Sequence, residues 1–196
     1  MFANRFTAIV DACVLAGALK RNLLLTLAER EFFRLRWSIP ILDETERAIS
    51  DILARKHVAD SEERARRARL CMETAFDDAM VSDFANFLGT CKGLPDAGDA
   101  HVVAAALKTQ AATIVTDNIR HFPASALGPL NLEVRTADAF IADTIALNEG
   151  KAVEALRQLR LRLRRPEKNA GQLLLDMEAV GLTSTVDVLC SHEASL

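Results

Sequence analysis

Phe6 to Val10 is a short apolar, β-branched run that stops at Asp11 and passes into a helical pattern through Leu15, Leu19, Leu23 and Leu27. A strand feeding a helix is the expectation. Ile39-Pro40 opens a second helical pattern, with Ile41, Thr45, Ala48, Ile49 and Ile52 at helical spacing, and Ser61 is placed to cap a charged helix from Glu62 to about Phe76. Ala79 to Val81 reads as a weak second strand. Leu94-Pro95 then breaks the chain before Asp96, which starts a helix running to about Gln110. Thr113 to Thr116 is a third strand, Leu132 to Arg135 a fourth, and Ala137 to Leu147 the helix that follows it.

Strands alternating with helices imply parallel pairing through right-handed crossovers. Residues 1–147 therefore read as a three-layer α/β/α domain with a short parallel sheet. From residue 148 onward the strand signal fades, leaving only a doubtful Thr185 to Leu189, and Pro166 and Gly181 divide the segment into short helices. Residues 148–196 read as a helical appendage.

With 196 residues, 50% of them hydrophobic and 26% charged, the chain can bury a proper core. No apolar stretch reaches membrane-span length, and charge and strand pattern arrive too early for a signal peptide, so the sequence reads as cytoplasmic, with no membrane partner. Cys13, Cys71, Cys91 and Cys190 are scattered, without zinc-ligand spacing, and read as reduced and mostly buried thiols. The net charge of -3 argues against coating nucleic acid by bulk attraction. The charge is uneven, however. From Lys151 to Lys168 the chain carries Lys151, Arg157, Arg160, Arg162, Arg164, Arg165 and Lys168 against Glu154 and Glu167. Within this run Arg157, Arg160, Arg164 and Arg165 are candidates for phosphate contact.

The acids gain an address from the fold. In parallel α/β sheets ligands sit beyond the carboxyl ends of the strands, and Asp11 and Asp117 each stand just after one. Asp99 lies on the helical stripe of Val102, Val103 and Ala106, where a carboxylate needs a partner. Carboxylates gathered without a cation raise one another's pKa, so such a cluster is best explained by a divalent ion. Hard oxygen ligands select Mg²⁺ or Mn²⁺, and the chemistry implied is phosphodiester hydrolysis. Several positions stay open. Asp96 fits as a helix cap or as a ligand; Glu44 and Glu46 flank the apolar stripe of their helix on opposite sides; Asp117 and Asn118 both follow a strand; Thr116 either holds a bound water or ends the strand.

Four blocks in order carry a family resemblance. Val10-Asp11-Ala12-Cys13-Val14-Leu15 resembles the opening of PIN domains, and Trp37 to Glu44 is similar to the segment that supplies a helical Glu, which favours Glu44. Leu94 to Ala106 resembles the block giving one or two acids before a small-residue helix, and Ile114 to Pro123 the block with a Thr followed by an Asp or Asn. The chain thus resembles VapC-like PIN-domain ribonucleases over about residues 5–141, and Pro166 with Leu173 to Gly181 looks like the helical extension of one branch. The resemblance implies a metal-dependent ribonuclease with Asp11, Glu44 and Asp99 as catalytic ligands, Asp96 as a further metal contact and Thr116 in support; its register puts Asn118 in the place of the last acid, a departure from the commonest pattern, with Asp117 beside it as the substitute catalytic ligand. It also implies an RNA substrate, a toxin held by an antitoxin, and a homodimer.

Plainer readings compete. His101 and His121 serve surface or capping roles, or touch RNA or shuttle a proton; Trp37 with Phe32, Phe33, Arg34 and Arg36 is core packing, or a base-stacking patch. Leu156, Leu159, Leu161 and Leu163 must be buried somewhere. A haloacid-dehalogenase-type phosphatase requires a second Asp two residues after the first, where this chain has Cys13. The stronger rival is a non-catalytic PIN-like module binding RNA or protein, with a metal site impaired at Asn118.

Overall fold

The computed structural model describes residues 6–164 and 166–196. In chain order it gives β1 (Thr7–Val10), α1 (Ala12–Leu15), α2 (Ala18–Glu29), β2 (Arg34–Ser38), α3 (Ile39–Arg55), α4 (Ser61–Ala75) and β3 (Met80–Val81). There follow α5 (Ala100–Thr109), β4 (Thr113–Val115), α6 (Ala124–Leu127), β5 (Glu133–Arg135), α7 (Ala137–Ala146), α8 (Glu149–Arg162), α9 (Ala170–Ala179) and α10 (Thr183–Cys190). The strands interleaved with helices carry the α/β/α class predicted from the alternation, with helices following at the C-terminal end. The fold separates into two compact units, one drawing on the chain up to Gly17 and on Arg34–Arg135, the other on Ala18–Phe33 and Thr136–Leu196.

The first unit holds the sheet, ordered β3-β2-β1-β4-β5 and parallel at every pairing. β1 lies at its centre, with Ile9 opposite Arg36 on one side and Ile114 on the other. Strand order reverses between β1 and β4, the position where parallel sheets open a crevice at their carboxyl ends. The main chain is tied there by the Asp11 amide, which donates to the Val115 carbonyl at 3.0 Å. Buried Ala8, Ile9, Val10, Ile114 and Val115 form the apolar floor, and α5 presses on it through Val102 to Ala106, all fully buried. The run of alanines lets that helix approach the strands closely.

β2 is a strand that the apolar pattern does not predict. Its residues alternate exposed Arg34, buried Leu35, half-buried Arg36 and buried Trp37, a period-2 pattern whose two arginines hide it from a search for apolar runs. The leucine pattern after Asp11 is also divided, because α1 ends at Leu15 and α2 begins only at Ala18. Ser61 is the first residue of α4 rather than its cap, with Asp60 before it in the left-handed region at φ 56°. Phe32, Phe33 and Trp37 are buried, so the aromatic segment is core. Cys71 and Cys190 are exposed, and Cys13 and Cys91 are intermediate, which corrects the expectation of mostly buried thiols.

The second unit is helical. Ala152, Val153, Ala155, Leu156 and Leu159 are the buried stripe of α8, whereas Leu161 is 46% exposed, against expectation. Thr185 to Leu189, the doubtful strand, falls inside α10. The Asp138 carboxylate at the start of α7 caps α10, accepting the Ser184 and Thr185 amides at 2.9 and 2.8 Å. Among the described residues no helix is long and apolar enough to cross a membrane.

Candidate metal centre

Asp11 is 5% exposed, and both of its carboxylate oxygens accept hydrogen bonds. Standing between β1 and α1, it caps that helix, with Oδ1 accepting the Ala12 amide at 2.7 Å. Oδ2 accepts the Thr116 hydroxyl at 2.7 Å and the Cys13 thiol at 3.2 Å. Thr116, fully buried after β4, also accepts the Asn118 amide on its oxygen at 3.1 Å, so it joins the ends of the two central strands. Burial and then the charge of Asp11 push the Cys13 thiol up to about 12, so it remains protonated and donates.

The acids of α3 face different neighbours. Glu46 and Asp43 turn toward α4, where Arg69 pairs with them at 3.1 and 2.7 Å. Glu44 faces another way, with Oε2 3.6 Å from His101 Nε2 on α5. The His101 ring is fixed by its other nitrogen, Nδ1, which lies 2.7 Å from the Gly98 carbonyl and must donate to it. Asp99, just before α5, accepts His121 Nδ1 at 2.9 Å. Asp96 accepts the Gly98 amide at 2.7 Å, the capping role that is one of its two readings. That role does not remove it from the cluster, since ligand atoms of Asp96, Asp99 and His121 lie within 4.8 Å of one another.

Charge binds these groups into one neighbourhood. Glu44 is held above the usual carboxylate range by burial, with Asp11 and Asp99 adding to the rise and His101 and Arg47 opposing it. Asp99 is raised by burial and by Asp11 and Asp96, against the pull of His121. Asp11 and Asp99 thus act on Glu44, and Asp11 and Asp96 on Asp99, at the carboxyl end of the sheet, and a hard cation is the partner that oxygen donors of this kind fit. Three buried polar atoms in this unit, Trp37 Nε1 and Ser38 Oγ at the end of β2 and His101 Nε2, have no hydrogen-bond partner among the described residues. Asp117 and Asn118 are both exposed after β4.

The basic candidates lie in the second unit. Arg160 donates from Nε to the Leu196 carbonyl at 2.8 Å and from Nη1 to the Lys168 carbonyl at 2.9 Å, so it ties the end of α8 to later chain. Arg157 is 3.7 Å from Glu154, and Arg164 is exposed. Arg165 lies outside the described residues.

Sequence reasoning weighs the two histidines without pairing them to particular acids, and it misses the thiol. Cys13 is visible as the second residue after a helix cap, close enough to share that cap's carboxylate. The Asp99–His121 contact spans 22 residues, and no local signal announces it.

The family model described as PIN domain matches residues 7–120, and the one described as VapC50 C-terminal domain matches residues 137–191. A protein named "Putative ribonuclease VapC50", from Mycobacterium tuberculosis (strain ATCC 25618 / H37Rv), is 43% identical over 51 residues. That stretch is 26% of this chain and 30% of the relative's length. No solved structure matches the chain.

Proposed function

Because the chain belongs to the PIN-domain family over residues 7–120, we propose that it is a metal-dependent ribonuclease that hydrolyses RNA phosphodiester bonds, the toxin of a toxin–antitoxin pair. The observation that carries this reading is the shared charge neighbourhood of Asp11, Glu44, Asp99 and Asp96 at the switch point of the sheet. Asp11, Glu44 and Asp99 would hold Mg²⁺ or Mn²⁺, with Asp96 and either Asp117 or Asn118 beside them. When bound, such an ion lowers the pKa of a water and offsets charge on the phosphate and the leaving oxygen.

The chain's own residues supply orientation. Thr116 and Cys13 hold Asp11 Oδ2 from two sides, and the Ala12 amide holds Oδ1, so the carboxylate cannot rotate away. His121 Nδ1 donates to Asp99, and His101 lies against Glu44 with Nε2 3.6 Å from its carboxylate. The nuclease chemistry belongs to residues 1–147, and the appendage at 148–196 serves binding. An RNA substrate, an antitoxin partner, a homodimer and a cytoplasmic location complete the reading.

The test is incubation of the purified protein with a mixed RNA pool in Mg²⁺ or Mn²⁺ and in EDTA. Cleavage should require the ion, and Asp11→Asn should abolish it while the protein stays folded. Asn keeps an oxygen for the Ala12 amide, and the Thr116 hydroxyl can turn to accept from the new amide group. Wild-type rates in the mutant would sink the assignment; a folded wild type inert with both ions would favour the non-catalytic binding module instead.

A further inference from the structure

We infer that Arg120, with Lys92 on the neighbouring loop, grips the phosphate backbone of RNA at the edge of the acidic cluster. The inference rests on the proposed reading of the chain as a ribonuclease and deepens it, because it puts phosphate contacts in the first unit, on the segments that carry the acids. Ligand atoms of Asp96, Asp99 and His121 lie within 4.8 Å of one another, so the loop before α5 and the turn after β4 meet at the cluster. That turn, Ile119–His121, is tied at both ends. The Asn118 amide donates to Thr116 Oγ1 at 3.1 Å, and His121 Nδ1 donates to Asp99 Oδ2 at 2.9 Å. Arg120 stands between the two ties and is exposed, so its backbone is fixed beside Asp99 while its side chain stays in solvent. A further contact brings the second cation in. Gly93, in the left-handed region at φ 83°, packs on α6, with Ala126 Cβ 3.8 Å from where a side chain at Gly93 would begin. α6 begins three residues after His121, and Lys92, exposed and next to Gly93, is thus held against the same stretch of chain that carries Arg120.

Other cations of this unit are spent on acids: Arg69 divides its guanidinium among Asp43, Glu46 and Glu73, and Arg36 lies against Asp78. Neither Lys92 nor Arg120 pairs with an acid among the described residues. An exposed cation gives up little hydration to meet a phosphate, and each contact releases a condensed counterion, the main source of affinity for a nucleic-acid backbone. A guanidinium adds a planar fork that matches two phosphate oxygens, and an ammonium adds a point charge. The acids make such groups necessary close by. Burial and neighbouring carboxylates hold Glu44 and Asp99 above the usual range, the mark of a negative potential that a phosphate meets on approach. Screening confines compensation to about 8 Å at physiological ionic strength, so cations on the loops that carry the acids are the ones placed to supply it.

The probe is a fluorescently labelled single-stranded RNA, its binding followed by anisotropy across a salt series. Binding is measured in EDTA, and again with Mn²⁺ in an Asp11→Asn background so that the strand stays whole. Lys92→Gln combined with Arg120→Gln should flatten the log–log slope by roughly 1.4, twice the roughly 0.7 for each phosphate contact of a single strand. Each single variant should give about half of that change, and Arg120→Lys, which keeps the charge, should keep the slope. Lys56→Gln combined with Lys108→Gln is the control. It removes the same net charge from exposed positions where α3 and α5 end, roughly 13–18 Å along those helices from Glu44 and Asp99 at about 1.5 Å per residue, and should leave the slope as in the parent. Circular dichroism should show every variant folded. A slope unchanged in the Lys92 and Arg120 pair, or flattened equally in the control pair, overturns the inference and leaves the ribonuclease reading standing. A parent protein that binds no RNA in either condition overturns both.

Discussion

Asp11 gathers three donors from two strand ends and a helix turn, and the price of that order is that its charge acts on the neighbouring acids. Burial and this repulsion raise Glu44 and Asp99, so the folded protein binds their protons more tightly than the unfolded chain does. For a raised carboxyl the sign is the reverse of the usual acid case. Protonation favours the fold, and the benefit is lost as pH climbs through the raised folded values. Glu44→Gln should therefore raise the melting temperature of the metal-free protein at neutral pH, with the gap to wild type closing as pH drops below the ordinary carboxylate range. Thermal melts across pH check this, and a gap independent of pH would contradict it. Saturating Mn²⁺ should stabilise the wild type by mass action and do much less for the mutant.

The last ligand position is a second question at this scale. An aspartate offers a full charge to a cation and an asparagine a neutral oxygen. If Asp117 supplies it, Asp117→Asn should cost far more cleavage than Asn118→Ala; steady-state rates in Mg²⁺ decide, and the opposite ranking gives the position to Asn118. The residue pattern alone leaves this open because both side chains follow β4 and both are exposed. It also leaves Glu44 and Glu46 level on helical geometry, and what separates them is a tertiary contact, Arg69 taking Glu46 and Asp43.

Among the elements, β1, β4, α3 and α5 are legible because their apolar positions follow a single period without interruption. β2 is not, since Arg34 and Arg36 occupy its outward positions and the following Pro40 draws the eye to the helix start. The cap of α10 is equally hidden, because its acid, Asp138, belongs to another helix 46 residues before Ser184. Burial tends to raise that carboxyl, yet the bonds from Thr185 and Ser184 outweigh it and hold it below the usual range. Its contribution is thus present above the ordinary aspartate pKa and is lost as pH falls through the depressed folded value. Asp138→Ala should cost about 1–2 kcal/mol, the upper part of the range for removing a cap, measured by urea unfolding at neutral pH. A loss of stability unchanged in acid would show that the carboxylate charge is not what caps α10.

At the scale of the molecule, the proposed function asks an acidic cluster to admit a polyanion in a chain of net charge -3, which would require cations elsewhere to offset the repulsion. The sequence marks the basic run but treats its arginines alike. Arg160 spends its donors on the Leu196 and Lys168 carbonyls, while Arg164 is exposed and Arg157 leans on Glu154. Neutralising Arg157 and Arg164 should weaken RNA binding and flatten its dependence on salt by roughly 0.7 in log–log slope for each phosphate no longer neutralised, with Mn²⁺ affinity unchanged. Arg160→Ala should act through stability instead. RNA affinity measured across a salt series separates these outcomes, and an unchanged slope in the double variant would remove the appendage from RNA binding.

The bond between Thr116 and Asp11 also has a meaning in time. It closes a span of 105 residues, and Asp11 N–H reaches Val115 over a similar distance. A ribosome adding about 5–20 residues per second needs roughly 5–20 s to go from one partner to the other. During that interval β1 lacks β4, Asp11 lacks the hydroxyl that orients it, and Asp99 lacks His121. The growing chain therefore carries the sequence of the acidic site without its assembled geometry until β4 has been made and has docked.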